Sequence, residues 1–170
     1  MKFAIIADVH ANLEAFKAVL EDSKQQECSH YAFLGDFVGY CADPKACIDI
    51  VRAMNAPCVK GNHDEYCSTD LPLNGFNPKA AKAVQWTREQ LTEEDRRWLH
   101  SLGYVRTVEN FTIVRLESGS NLQMSGGCVV FWPRAPNEYP CKTLPFSNRL
   151  AGTSTRRTPS TAPLMISLLN

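Results

Sequence analysis

Three short apolar segments in the first half of the chain each end at a cluster of acidic, histidine or asparagine residues. The segments are 2–7, 31–34 and 57–60. The clusters that follow them are Asp8 with His10, Asp36, and Asn62 with His63 and Asp64. A short apolar run is typical of a buried strand, and polar residues directly after it are typical of a functional loop. The pattern predicts a sheet whose strand ends carry a site.

Two amphipathic segments lie between these strands and predict helices. After Asn12, a good capping residue, apolar residues recur at three- and four-residue steps from 13 to about 25. Asp43 and Pro44 begin a second helix that runs to about Met54. Because parallel strands need a crossover, this order predicts an α/β fold with a mostly parallel sheet flanked by helices. The three clusters then meet at one edge of the sheet.

The next part of the chain predicts two more helices and two more strands. One helix begins after Asn77 and reaches about residue 91, and a capping box of Thr92 and Asp95 begins another that ends near Gly103. The strands are predicted at 104–109 and 111–116. The sequence keeps a helical or strand period up to this point.

The composition changes near residue 117. Residues 1–117 hold 13 basic and 17 acidic residues, whereas the remainder holds five basic residues and one acidic residue, together with 6 of the 10 prolines. Such Pro-, Ser- and Thr-rich sequence without a sustained period is typical of irregular structure. We therefore predict a domain at 1–117 and an irregular tail at 118–170.

The overall charge and the cysteines limit the classes of partner and the cellular location that can be expected. Because 18 basic residues balance 18 acidic ones, no nucleic-acid-binding surface is evident. The apolar run at 3–7 is too short for a signal or membrane segment, so no membrane association is expected. Seven cysteines without a Cys-x-x-Cys pair indicate reduced thiols in the cytoplasm. The first five cysteines are expected to be buried or half-buried residues without an activated thiolate, and Cys67, which follows the third cluster, is the best candidate for an exception.

The residue types in the clusters favour a metal site. Asp8 and His10 offer a carboxylate and an imidazole, a combination that suits a transition metal better than calcium or magnesium. Asp36 can bridge two cations through its two oxygens, and Asn62 adds a carbonyl oxygen. His63 is a candidate donor to a phosphoryl or leaving-group oxygen. A nucleotide-binding domain without hydrolysis is disfavoured, since the chain has no glycine-rich phosphate loop.

The motifs DVH at 8–10, GDFVGY at 35–40 and GNHDE at 61–65 resemble the calcineurin-like metallophosphoesterase superfamily. The likeness covers about residues 1–116, is greatest to small bacterial and archaeal phosphodiesterase-like members, and implies a metallophosphoesterase-type sandwich. It implies two divalent metal ions (Mn, Fe, Zn or Ni) and hydrolysis of phosphate mono- or diesters by a metal-activated hydroxide. The roles it implies are first-metal ligands for Asp8 and His10, a bridge for Asp36, a second-metal ligand for Asn62, and catalysis for His63 with Asp64 orienting it.

The later histidine blocks of that superfamily have no counterpart here. The histidines are at 10, 30, 63 and 100, and Arg115 stands about where the first later histidine is expected. His30 and His100 are expected to be surface residues. We therefore predict an incomplete second sheet, which leaves an apolar face exposed and favours self-association into a homo-oligomer. Two metal ions remain the expectation from the resemblance, and binding of only one ion is the alternative for this chain. The alternative function is a catalytically impaired remnant that binds metal or phosphate, or serves as an interaction module.

Overall fold

A parallel pair of strands forms the centre of the computed structural model, which describes residues 2–108, 111–116, 128–129, 132–133 and 165–169. β1 (Phe3–Ala7) pairs in parallel with β2 (His30–Phe33), as predicted. The third predicted strand, at 57–60, is reduced to one parallel bridge between Cys58 and Phe33. It ends early because the Lys60 amide donates to the carbonyl of Gly103, outside the sheet.

Five helices are present in the described residues, and four of them begin where local signals predict. They are α1 (Leu13–Gln25), α2 (Pro44–Met54), α3 (Asn62–Ser68), α4 (Pro78–Gln90) and α5 (Glu93–Ser101). Asn12 and Asn77 accept hydrogen bonds from the first turns of α1 and α4, and Thr92 forms the predicted capping box with Asp95. The short α3 was not predicted, because seven residues are too few for a helical period. None of these helices combines the length and apolarity that crossing a membrane requires.

The second sheet is small, as expected. β3 (Val105–Val108) and β4 (Phe111–Leu116) form an antiparallel hairpin, and β5 (Cys128–Val129) and β6 (Trp132–Pro133) each pair with β4. β7 (Met165–Leu169) pairs antiparallel with the free edge of β1. The residues that the structure describes beyond 117 are therefore strand residues, whereas the sequence predicted an irregular tail there. The domain boundary at 117 itself stays a prediction.

The first sheet is buried on both faces. On one face Ile6 and Phe33 pack into a core with α1, α2 and α5. On the other face Ile5 and Leu34 pack against Ile113 of β4. Burying such a side chain contributes about 1.5 to 3 kcal/mol, which explains why these strands read as continuous apolar runs. The two layers leave only the strand ends and their loops free to form a site.

Candidate metal centre

The loops that follow β1 and β2 are joined by backbone hydrogen bonds. The amide of Asp8 donates to the carbonyl of Gly35 at 3.1 Å, and the amide of His10 donates to the carbonyl of Asp36 at 2.8 Å. These bonds continue the pairing of the parallel strands into the loops. They bring the first two polar clusters to the same edge of the sheet, as the topology predicts.

Five residues of these loops adopt left-handed backbone conformations that side chains disfavour. Their φ angles are +58° at Asp8, +47° at His10, +57° at Ala11, +53° at Asp36 and +60° at Tyr40. Each such residue costs about 1 to 3 kcal/mol and persists only where surrounding contacts enforce it. The strain is therefore concentrated in the loops that carry the candidate ligands.

Asp8, His10 and Asp36 form one group whose candidate ligand atoms all lie within 4.8 Å of one another. His10 and Asp36 are buried, and Asp8 is half-buried. Nδ1 of His10 lies 3.2 Å from the carbonyl oxygen of Val38, a contact that orients the ring and leaves Nε2 for a metal. Two carboxylates and an imidazole fit one divalent transition-metal ion.

The amino end of α3 closes the site from the other side. The amide of His63 donates to Oδ1 of Asp36 at 3.0 Å, and Asn62, half-buried, is the first residue of the helix. The His63 ring lies 4.8 Å from the ring of His10 and 4.6 Å from that of Tyr40. A side chain at Gly39, where φ is +87°, would collide with Nδ1 of His63. The close approach therefore requires glycine at that position.

The His63 imidazole is neutral in this environment. Burial lowers its pKa to about 3, and the charges of His10 and Arg115 act in the same direction. Its buried Nδ1 has no hydrogen-bond partner among the residues that the structure describes. A neutral ring carries one N–H and one free lone pair, so it can donate to or accept from a bound group.

Asp64 does not make the contact that the resemblance implies. Instead of orienting His63, its Oδ1 accepts from the amides of Phe37 at 2.8 Å and Val38 at 3.3 Å, and its Oδ2 accepts from the amide of Gly61 at 3.0 Å. It is fully buried, and burial, followed by the charge of Asp36, raises its pKa. As the third residue of α3, it turns back toward the helix start. Its contacts hold the second cluster against the third.

Arg115 of β4 reaches into the candidate metal group. Its Nη2 donates to Oδ1 of Asp8 at 2.9 Å and also pairs with Oδ2 of Asp36, while Nη1 donates to the carbonyl of Leu34 at 3.1 Å. Burial alone lowers the arginine pKa, but the charges of Asp36 and Asp8 offset this effect, so the pKa is raised. The sequence placed Arg115 where a ligand is expected but did not predict that it joins the two carboxylates. The sequence signal that could have predicted this contact is the two-residue spacing from Ile113, because residues two apart on a strand lie on the same face, which is here the buried one.

The other polar candidates lie outside this group. His30 is exposed and contacts Oγ of Ser29 at 2.8 Å, and His100 is exposed on α5. Cys67 is fully buried, and burial raises its pKa to about 12, so it is a buried thiol like the other expected core cysteines and not an exception to them. Within the described part of the chain, no other three His, Cys, Asp or Glu residues form a group that could hold a metal.

Comparisons with known proteins agree with this fold. A family model described as calcineurin-like phosphoesterase matches residues 1–139. An uncharacterized protein of Methanocaldococcus jannaschii is 40% identical over 99 residues, which are 58% of this chain and 41% of that protein. The crystal structure of a metallophosphoesterase from Sphaerobacter thermophilus has a TM-score of 0.55 at 41% identity, and covers 66% of this chain and 45% of its own. A hypothetical protein from Pyrococcus horikoshii OT3 shares the fold, with a TM-score of 0.52 at 21% identity over 64% of this chain and 50% of that one.

The family match spans all three polar clusters and extends past residue 116, where the likeness seen in the sequence ends. The chain spans half or less of the length of these relatives. The family match nevertheless covers well over half of this chain, and the Sphaerobacter structure shares the fold. The chain therefore belongs to the calcineurin-like phosphoesterase family and has the α/β fold of metallophosphoesterases.

Proposed function

We propose that this chain acts in the metal-dependent hydrolysis of phosphate mono- or diesters, with Asp8, His10 and Asp36 as metal ligands. The observation that carries the proposal is the convergence of their ligand atoms within 4.8 Å at the end of a parallel sheet. Divalent ions, when bound there, lower the pKa of a water molecule and neutralise charge on the phosphoryl oxygens. Manganese, iron, zinc and nickel all suit this ligand set.

The chain's own residues position the reacting groups. Asp36 is held by the His63 amide on Oδ1, so its carboxylate cannot rotate away from the site. The imidazole of His63 faces the rings of His10 and Tyr40, where it can donate a hydrogen bond to a phosphoryl oxygen. Tyr40 is 41% exposed and forms the open side of this group. We assign His63 as the catalytic donor and give Asp64 the role of fixing the loops.

A dinuclear centre needs more ligands than the described residues bring together. Asp36 and Asn62 are the proposed protein ligands of a second ion, and two oxygen ligands are fewer than the three or four that such a site needs. The chain spans 41% of the length of the Methanocaldococcus protein and 45% of that of the Sphaerobacter metallophosphoesterase. Groups outside the described residues would therefore have to complete the second site.

A second candidate function is a non-catalytic metal- or phosphate-binding module. The observation that favours it is the guanidinium of Arg115, which already contacts both carboxylates of the metal group. A cation held there reduces the attraction of the site for a divalent ion.

For either function, the five described free thiols support the proposed cytoplasmic location.

Metal stoichiometry and phosphoester hydrolysis on the same sample test these functions. Purified protein is dialysed against Mn²⁺ or Zn²⁺, the bound metal is measured by mass spectrometry, and hydrolysis of bis(4-nitrophenyl) phosphate and 4-nitrophenyl phosphate is followed. Asp36→Asn is expected to weaken metal binding by more than about tenfold and to remove turnover. The matched control is Asp49→Asn, which changes an exposed carboxylate on α2.

Each outcome selects one function. Turnover that requires Asp36 supports the phosphoesterase, and two ions per chain support the dinuclear form. One ion without turnover supports the binding module. If the wild-type protein retains neither Mn²⁺ nor Zn²⁺, the proposal of a metal-dependent function for this chain is wrong.

A further inference from the structure

We propose that Arg115 is an internal counter-cation that occupies the metal position between Asp8 and Asp36, so that a divalent ion enters only by displacing its guanidinium. The inference deepens the proposed function and rests on the metal-binding role given there to the two carboxylates. It concerns which group neutralises the two carboxylates when no metal ion is bound.

One guanidinium joins the ends of both parallel strands. Nη2 contacts the carboxylates of Asp8 and Asp36, and Nη1 donates to the carbonyl of Leu34 at 3.1 Å. All three acceptors come from segments that follow or end β1 and β2. A cation held between these two carboxylates at the strand ends occupies two of the three candidate metal ligands, because both carboxylates belong to the candidate metal group.

The position of Arg115 on β4 directs its side chain into the site. Arg115 and Ile113 are two residues apart on the strand and therefore lie on the same face. Ile113 is fully buried in the core between the two sheets. The amide of Arg115 donates to the carbonyl of Tyr104 at 2.9 Å, which fixes the backbone from which the side chain extends. Arg115 is only 8% exposed, so water does not screen its charge.

The charges of Asp8 and Asp36 favour binding of either the Arg115 guanidinium or a divalent metal ion, but not of both at once. Two carboxylates carry a charge of −2, which one divalent ion neutralises and which Arg115 reduces to −1. Both cations together would leave an excess of positive charge in a buried site, where the repulsion between them is large. The two states therefore exclude each other, and a metal binds only the fraction of molecules whose guanidinium has moved away.

The test is Mn²⁺ binding to wild-type protein and to Arg115→Met, measured by titration calorimetry. Methionine keeps an unbranched side chain but has no charge. The control is Arg88→Met, which removes the same charge from an arginine that donates to the carbonyls of Tyr66 and Leu71 and lies outside the group. Arg115→Met should bind Mn²⁺ at least about tenfold more tightly than wild type, whereas Arg88→Met should match wild type.

Thermal unfolding in EDTA and in Mn²⁺ gives a second readout. Without metal, Arg115→Met should melt at a lower temperature than wild type because its two carboxylates lose their counter-charge. Mn²⁺ should raise the melting temperature of the variant more than that of wild type. Should the methionine variant fail to fold, Arg115→Lys decides, since one ammonium group cannot hold all three acceptors. Tighter Mn²⁺ binding by the lysine variant supports the proposal, and equal or weaker binding overturns it.

The outcomes separate this inference from the proposed function. Equal, measurable Mn²⁺ binding by wild type and Arg115→Met overturns the counter-cation and leaves the metal-dependent function standing. Binding by the variant alone supports the counter-cation and removes the metal-dependent function from the wild-type chain. An absence of binding in both proteins overturns both proposals.

Discussion

Replacing Asp64 with alanine tests whether this carboxylate stabilises the fold or orients a catalytic histidine. The side chain is fully buried, and its two oxygens accept from the backbone amides of Phe37, Val38 and Gly61. These amides belong to the loop after β2 and to the start of α3. Alanine leaves all three donors without the acceptor they have in this structure, so the loop and the helix lose their shared anchor.

The expected loss of stability follows from the hydrogen bonds. The bonds from Phe37 at 2.8 Å and Gly61 at 3.0 Å are well formed, whereas that from Val38 at 3.3 Å is weak. Two bonds to a charged acceptor are worth about 3 to 6 kcal/mol in total. The raised pKa of Asp64 shows that burial disfavours its charge, and removing that charge offsets part of the loss. We expect a net cost of about 3 kcal/mol, or a fall in melting temperature of about 6 to 12 °C.

Urea unfolding followed by circular dichroism measures this cost. The control is Asp49→Asn, an exposed carboxylate whose change should alter the free energy of unfolding by less than about 0.5 kcal/mol. A loss of less than about 1 kcal/mol for Asp64→Ala, with an unchanged m-value, would refute the anchoring role. Lost phosphoester turnover at full stability would instead support the orienting role that the family resemblance implies.

Three further predictions concern local geometry. Gly39→Ala should destabilise the fold more than Gly75→Ala, because both glycines have positive φ but only Gly39 is in contact with another side chain, and urea unfolding should show a difference of about 1 kcal/mol or more. Cys47 and Cys67 should resist iodoacetamide in the native protein at pH 8 and react after unfolding, as mapped by mass spectrometry, because burial raises the pKa of each to about 12. Thr92→Ala should cost about 1 kcal/mol in urea unfolding, because it removes the capping box of α5.

Local sequence patterns were sufficient for most helices and for the convergence of the residues of the candidate metal group. The cap at Asn12 and the apolar stripe after it define α1, because capping and amphipathic spacing involve residues within one helix. The meeting of Asp8 and His10 with Asp36 also followed from the sequence. Two parallel strands joined by a helix must end at the same edge, so residues that follow them are brought together.

Local patterns were not sufficient where a contact depends on distant segments. The short α3 is stabilised by Asp64, whose other partners lie in the loop after β2. The pairing of β7 with β1 joins the two ends of the chain, and no turn or period in the sequence marks it. Both features depend on how separate elements are placed, which no local propensity specifies.

The sequence by itself determined the family, the parallel core and the residue types that gather at its edge. Only the tertiary structure decided what those residues contact. Arg115 is 79 positions from Asp36 and 107 from Asp8, and it reaches both because β4 packs on the first sheet in one register. A one-residue shift of that strand would turn the arginine to the opposite face. The charge at the centre of the site is therefore a property of the packing between the two sheets.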